Sequence, residues 1–264
     1  MFGRNSLTNL IANNEWSKAK ELVEENGNLV RKWTVAPSLT GGVHAADILP
    51  IHQACKMESV TIHFLESLLF AYPESIKKRE SGFRRTPLHI AIRARVSDEV
   101  IFYLLNKFPE IAGVQDVLGR VPLHYAISNH SSMAVIHNLI KACPPTACAP
   151  DNLGWTPLHV AANTARSAEM VETLIHSGAE TVVAKTRKGN TPMMCANMSR
   201  GPDRDLIISI LLEEEQKFEK TAYFQNFREA EQIADKKYST SVYSTHLQYG
   251  MRKLKRSGSF RLVV

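Results

Sequence analysis

Between residues 49 and 215 the apolar and polar positions recur in one order. Five short runs carry it: LPIHQAC (49–55), TPLHIAI (86–92), VPLHYAI (121–127), TPLHVAA (156–162) and TPMMCAN (191–197). In the second of these, Leu88 and Ala91 share one face at helical spacing, and the small alanine permits close helix contact. Thr86 and Thr156 are suited to cap such helices through their hydroxyls. The proline that follows each fits the first helical position, where no backbone donor is needed. A longer apolar segment comes next: VIFYLLNKF (100–108), AVIHNLIKA (134–142) and MVETLIHSG (170–178). Its pattern predicts a second helix folding back on the first, with Pro109, Pro144 and Gly178 as the stops. Turn chemistry closes each unit, in DVLGR (116–120), DNLGW (151–155) and TRKGN (186–190), where glycine permits a left-handed residue.

The prolines that open the runs are residues 50, 87, 122, 157 and 192, at intervals of 37, 35, 35 and 35. Regular self-similarity of this kind predicts stacked supersecondary units. One finger departs from the rule. In SGFRRTPLH, Gly82 lies four residues before Thr86, whereas Gly119, Gly154 and Gly189 lie two residues before their counterparts. Arg84 takes the glycine slot, so a different turn is expected there.

The ends of the array are less regular. Residues 1–33 read as a degenerate N-terminal capping repeat, with Leu7, Leu10 and Ile11 on one short face and Trp16, Ala19, Leu22 and Val23 on another. Residues 34–48, with Pro37, Gly41 and Gly42, read as an extended loop insertion before the array at 49–215. No glycine or proline interrupts the final run between Asp203 and Tyr249, and Phe218, Ala222, Phe227, Ala230 and Ile233 extend an apolar stripe. A helix over 216–238 is expected, either folding back as a cap or projecting to pair with another chain. Residues 239–264 read as a flexible basic tail.

The T-P-L-H-x-A runs, the D-x-x-G turns before them and the paired short helices resemble the ankyrin-repeat family. The resemblance implies an all-α solenoid of about six stacked helix-turn-helix units with a C-terminal helical extension. Here the period is 35 instead of the family's usual 33, and the extra residues are assigned between the two helices and after the second. It implies further that His52, His89, His124 and His159 are structural, each bonding to backbone groups and tying neighbouring repeats. Met194 replaces the imidazole in the last unit, which suggests a weaker terminal repeat. Partner contacts in the family come from turn tips and first helices on a concave face. Carried onto this chain, those positions are Phe83, Arg84, Arg85, Leu118, Arg120, Trp155, Arg187, Lys188 and Asn190 at the tips, and Arg93, Asn129 and Asn163 at first-helix ends. Trp155 is either a binding anchor or a cover for the next finger.

Charge changes the picture only at the C-terminal end. Residues 1–215 hold 22 Lys+Arg and 22 Asp+Glu, whereas residues 216–264 hold 10 and 4, which accounts for the whole net charge of +6. Within that segment RKLKR (252–256) offers a contact for nuclear import, anionic lipid or nucleic acid, or simply keeps the chain soluble. Ser257 and Ser259 beside it are candidate phosphorylation sites for a basophilic kinase. Leu262 and Val264 form a weak match to ligands of carboxylate-capturing grooves.

Chemistry-bearing motifs are sparse. There is no G-x-x-x-x-G-K-[ST] loop, G-x-S-x-G elbow, H-E-x-x-H or C-x-x-C pair. His52 with Cys55 forms a lone H-x-x-C, too little for a zinc site. The four scattered cysteines, Cys55, Cys143, Cys148 and Cys195, read as free thiols of a reducing compartment, with a Cys143–Cys148 link as the unusual alternative. No apolar run is long enough to span a bilayer, and the first residues do not read as a secretory signal. The expectation is a non-enzymatic cytoplasmic or nuclear protein without cofactor or small-molecule substrate. It binds a protein partner as an adaptor, scaffold or inhibitor. The alternative is a tether to anionic membrane or nucleic acid through the tail.

Overall fold

The computed structural model describes residues 6–36 and 46–237. They form twelve α-helices and one two-stranded antiparallel ladder. The chain divides into two compact units at Glu214–Glu215.

The first unit is a stack of helix pairs. They are α1 (Leu7–Ala12) with α2 (Trp16–Glu25), α3 (Pro50–Ala54) with α4 (Ile62–Ala71), and α5 (Pro87–Ala94) with α6 (Asp98–Lys107). Next come α7 (Pro122–Ser128) with α8 (Met133–Ala142), α9 (Pro157–Thr164) with α10 (Ala168–Ser177), and α11 (Pro192–Met198) with the start of α12 (Arg204–Lys237). First helices touch first helices (α5 with α7, α7 with α9, α9 with α11), and second helices likewise touch second helices (α2 with α4, α4 with α6, α6 with α8). One core therefore runs the length of the stack.

The sequence pattern explains the seating. Leu88, Leu123 and Leu158 follow the helix-opening prolines and are wholly buried, as are Ala91 and Ala126 three residues on. From the second helices, Leu65, Leu104, Leu139 and Leu174 complete the filling. Burying each such leucine contributes about 1.5–3 kcal/mol. At the amino end, Leu7, Leu10 and Ile11 are buried, and Trp16 lies with its ring 5.3 Å from that of Phe64 in the next pair. At the other end Ile207 and Leu211 of α12 are buried, while Met194 of α11 is half exposed. Asp203 fastens this last pair: its N–H donates to Ala165 O (3.0 Å) and its carboxylate accepts from Ala168 N–H (3.1 Å).

Two details differ from expectation. The second helices stop before the prolines, at Lys107 and Ala142, and Pro109 and Pro144 instead open short 3₁₀ turns (Pro109–Gly113, Pro144–Ala147). Equivalent turns follow α2, α4 and α10. Proline suits these openings for the same reason that it suits a helix N-terminus. The segment assigned to an extended loop carries regular pairing at its two ends: β1 (Thr34–Ala36) runs antiparallel to β2 (Ala46–Ile48), with Val35 opposite Asp47. Residues 37–45 lie outside the described part, as does the tail from 238 with RKLKR, Ser257, Ser259, Leu262 and Val264. In the second unit the helix backbone continues to Lys237, and the side chains of Ala222, Phe227, Ala230 and Ile233 are likewise outside the described set. All four cysteines are free thiols, so no Cys143–Cys148 bond forms. Among the described residues no helix is long and apolar enough to cross a membrane.

Candidate functional site

Each finger is folded by one side chain. Asp116 Oδ1 accepts the N–H groups of Leu118 (2.8 Å) and Arg120 (3.0 Å), while its own N–H donates to Arg120 O. Asp151 repeats the pattern with Leu153 (2.8 Å), Trp155 (2.9 Å) and the Trp155 carbonyl. In the last finger the Thr186 hydroxyl substitutes, accepting from Asn190 N–H. Gly119, Gly154 and Gly189 take the left-handed residue, with φ of 76°, 79° and 81°.

The irregular finger reaches the same end by another route. It closes from Glu80 N–H to Arg85 O, one residue longer than its neighbours. The Glu80 carboxylate is buried and accepts three N–H groups, from Gly82 (2.6 Å), Phe83 (2.7 Å) and Arg85 (3.1 Å). The additional methylene of glutamate spans the additional residue. Arg84 occupies the left-handed slot with φ 55° despite its Cβ. Arg84→Gly is expected to leave the finger intact and to stabilise the protein by up to about 1 kcal/mol, because the left-handed strain outweighs the added freedom of the unfolded glycine. The midpoint of urea unfolding measures this.

Successive fingers are hydrogen-bonded into a ladder. Val117 N–H donates to Phe83 O, Asn152 N–H to Leu118 O and Arg187 N–H to Leu153 O, each at 2.9 Å. The Asn152 amide adds a bond to Val117 O. At the start of the ladder, Ser81 N–H donates to Asp47 O on β2.

Beneath the ladder run the four imidazoles, all buried. Each Nδ1 faces the N–H of the residue before the helix: Leu49, Thr86, Val121 and Thr156, at 3.1–3.3 Å. Each Nε2 faces a backbone carbonyl further along the chain. His89 meets Arg120 O (3.1 Å), His124 meets Trp155 O (2.9 Å) and His159 meets Asn190 O (3.0 Å). His52 meets Lys78 O (3.0 Å), on the entry side of the longer finger. A donor at Nδ1 and an acceptor at Nε2 select one neutral tautomer, with the proton on Nε2. Burial pushes the pKa of all four below the ordinary value, for His52 and His89 to about 4.

The positions carried over as partner contacts separate into two groups. Arg84, Arg93, Leu118, Asn163, Arg187 and Lys188 are exposed. Arg120 is half buried, its Nε 3.2 Å from Asp151 Oδ2. Phe83 is half buried beneath the Arg85 guanidinium, 4.2 Å from the ring centre. Trp155 is half buried against the core, its ring 6.0 Å from that of His159. Asn190 gives its carbonyl to His159 and its N–H to Thr186. Asn129 is committed to the backbone of the preceding first helix, donating to Ile92 O (3.1 Å).

Arg85 is a correction. It is 2% exposed and therefore unavailable as a tip contact. Tyr125 occupies a position held by Ile90 and Val160 in the neighbouring repeats, and its ring lies over Arg85. The Arg85 guanidinium sits 3.7 Å from Asp116 and donates to the Tyr125 hydroxyl (3.3 Å), and that hydroxyl in turn donates to Asp116 (2.5 Å).

Val117 and Leu153 were not singled out from the sequence. They are 47% and 57% exposed, and with Leu118 at 40% they place three large apolar side chains on two adjacent tips. The signal was present in DVLGR and DNLGW, where leucine stands before each turn glycine on a surface otherwise polar. On the second-helix side a separate groove of about 1060 Å³ is lined by Lys20, Glu24, Glu66, Phe70 and Tyr103 among others, with Phe70 92% exposed. Among the described residues no group of three or more His, Cys, Asp or Glu side chains is placed to hold a metal ion.

Comparison with known proteins agrees with this geometry. The family described as Ankyrin repeats (3 copies) matches residues 51–147 and 132–222, well over half of the chain. No curated protein sequence matches. Among solved structures, the ankyrin repeat domain of Bcl-3, described as a unique member of the IkappaB protein family, superposes with a TM-score of 0.57 at 23% identity. That alignment covers 78% of this chain and 80% of the Bcl-3 domain, and at this identity it speaks for the fold alone. Ankyrin repeats are protein–protein interaction modules, typically non-catalytic. With the helix pairs, the braced fingers and the buried histidines recurring at the matched positions, the chain belongs to the ankyrin-repeat family.

Proposed function

We propose that this protein is a non-catalytic adaptor, scaffold or inhibitor, acting in the cytoplasm or nucleus, that binds a protein partner through its finger tips and the adjoining first helices. The observation that carries the reading is the apolar patch of Val117, Leu118 and Leu153, held out to solvent on adjacent tips. Tip backbones tied by hydrogen bonds lose little freedom on binding, so contact energy is not consumed in ordering loops. Contiguous exposed apolar side chains rimmed by charge are a mark of interaction surfaces.

Affinity capture with the intact chain, compared with a Leu118→Ser, Leu153→Ser form, tests this. Both leucines are exposed, so the fold is expected to hold to within about 0.5 kcal/mol. The expected result is loss of the captured partner from the tip variant and its retention by Phe70→Ser, which alters the opposite side. The reverse pattern would place binding on the second-helix groove and end this reading. The basic segment 250–264 carries the second reading, a tether to anionic membrane or nucleic acid. Partner retention that collapses with added salt and with deletion of 250–264, independent of the tip substitutions, identifies that case.

A further inference from the structure

Three guanidinium groups converge on one tyrosine ring. The Cζ atoms of Arg85, Arg93 and Arg120 lie 5.4, 5.7 and 6.0 Å from the centre of Tyr125. Arg84 stands exposed on the neighbouring tip, at a slot where three other fingers have glycine. The local acids are already occupied. Asp116 braces its finger and takes the Tyr125 hydroxyl, and Asp151 braces the next finger and takes Arg120 Nε. Glu80 is buried under three N–H groups. Neither Arg84 nor Arg93 has a salt-bridge partner among the described residues. Burial, and after it the charge of Arg85, holds the Arg93 guanidinium below its ordinary pKa, against the smaller opposing pulls of Tyr125 and Asp116. Arg85 Nε is buried with no hydrogen-bond partner.

We infer that the face formed by Arg84, Arg93 and Arg120 around Tyr125 receives a carboxylate-rich segment of the partner protein. Arg93 and Arg120 both lie against the Tyr125 ring and present planar forks suited to carboxylates. Arg85, buried and donating to the Tyr125 hydroxyl, keeps Tyr125 in place and is a positioning residue, not a contact. Phe83, half buried, leaves an apolar surface for the stems of glutamate side chains, while Tyr125 is itself buried and holds the guanidinium groups against its ring. The inference rests on the proposal that the finger-tip face is the binding face, and adds the chemistry of what is bound.

The probe is a short fluorescent glutamate-rich peptide titrated into the intact 264-residue chain at physiological ionic strength. Because the tail is also cationic, a companion protein with Arg252, Lys253, Lys255 and Arg256 all replaced by Gln is titrated in parallel. The expected result is saturable binding that survives the tail substitutions and weakens about tenfold or more in Arg93→Gln, Arg120→Gln, a size consistent with losing two charge-assisted contacts. Arg187→Gln, Lys188→Gln, on a more distant tip, is expected to bind within about twofold of the parent. Circular dichroism and the unfolding midpoint of each variant separate lost contact from lost fold.

Three outcomes overturn the inference. One is affinity unchanged by Arg93→Gln, Arg120→Gln. Another is affinity lost only with the tail substitutions. The third is preferential retention, through Arg93 and Arg120, of a phosphoserine peptide or of phosphatidylserine vesicles over the glutamate peptide. If the glutamate peptide fails while the Leu118→Ser, Leu153→Ser form still loses its captured partner, the binding face stands and only its assigned chemistry falls.

Discussion

Acidification from pH 7 to pH 5 is expected to lower the unfolding free energy steeply, well before the carboxylates are neutralised. The sign follows from the buried imidazoles. His52 and His89 are held neutral by burial, with pKa near 4 against an ordinary 6.5. Above 6.5 both folded and unfolded chains carry them uncharged, and the stabilisation is complete. Below 6.5 the unfolded chain takes up protons that the folded chain refuses, so stability falls as pH falls. Each of the two contributes a slope of about 1.4 kcal/mol per pH unit, or about 3 kcal/mol by pH 4. His124 and His159 shift in the same direction and add to the loss. A total of about 6 kcal/mol from the first pair alone is comparable to the whole stability of many domains. Urea midpoints measured across this range at fixed salt provide the check. A His89→Gln form, less stable at neutral pH, is expected to show a slope shallower by one proton. Midpoints that stay flat between pH 7 and 5 would mean that these imidazoles are not sequestered in solution.

Gly154→Ala is the second large effect, and Gly189→Ala is its internal control. Both glycines have left-handed backbones of nearly the same angle, φ 79° and 81°. An alanine Cβ at 154 would lie 3.0 Å from Arg187 N and 3.0 Å from Thr186 Cα, whereas at 189 it would meet nothing within 4 Å. The two substitutions therefore share a backbone cost of about 1–2 kcal/mol, and only the first adds a collision with backbone. That collision falls on the residue whose N–H bonds to Leu153 O, so a rung of the ladder is strained as well. The expected losses are about 3–5 kcal/mol for Gly154→Ala and about 1–2 kcal/mol for Gly189→Ala. Equal losses at the two sites would show that finger-to-finger spacing does not constrain the turn. Since the array is quasi-one-dimensional, the Gly154 variant is also expected to unfold with reduced cooperativity, its two flanks separating at that joint.

The regular joints were legible because each repeats the same local solution. Proline at the helix start, a large apolar residue after it (leucine in three runs, Ile51 and Met193 in the others) and alanine three residues later leave one arrangement open, and five copies of it fixed the helix pairs and their order. Turn glycines were equally plain, since Gly119, Gly154 and Gly189 need a conformation that other residues resist. What the sequence concealed depends on contacts between repeats. Arg85 reads as a tip residue by position, and only the substitution of Tyr125 for a smaller aliphatic in the next repeat covers it. Asn129 resembles an exposed helix end until its amide is seen to satisfy the carbonyl of Ile92, thirty-seven residues earlier. Glu80 is hidden as a finger brace because the other braced tips use shorter side chains and its own loop lacks the turn glycine. The pairing of β1 with β2 lay inside a segment whose proline and glycines signal irregularity. Val117 and Leu153 are hidden for a different reason: apolar residues in a repeat ordinarily face the core, and these two face solvent.

The use of Glu80 where two neighbouring fingers use aspartate has a consequence for how such arrays can vary. An insertion at a tip would ordinarily push every later joint out of alignment. Here one added residue is absorbed where it occurs, by one added methylene in the acid that gathers the loop. Reach at the perimeter can then vary from joint to joint without disturbing the stacked interior, so what the protein grips can be reshaped while its spine stays as it is.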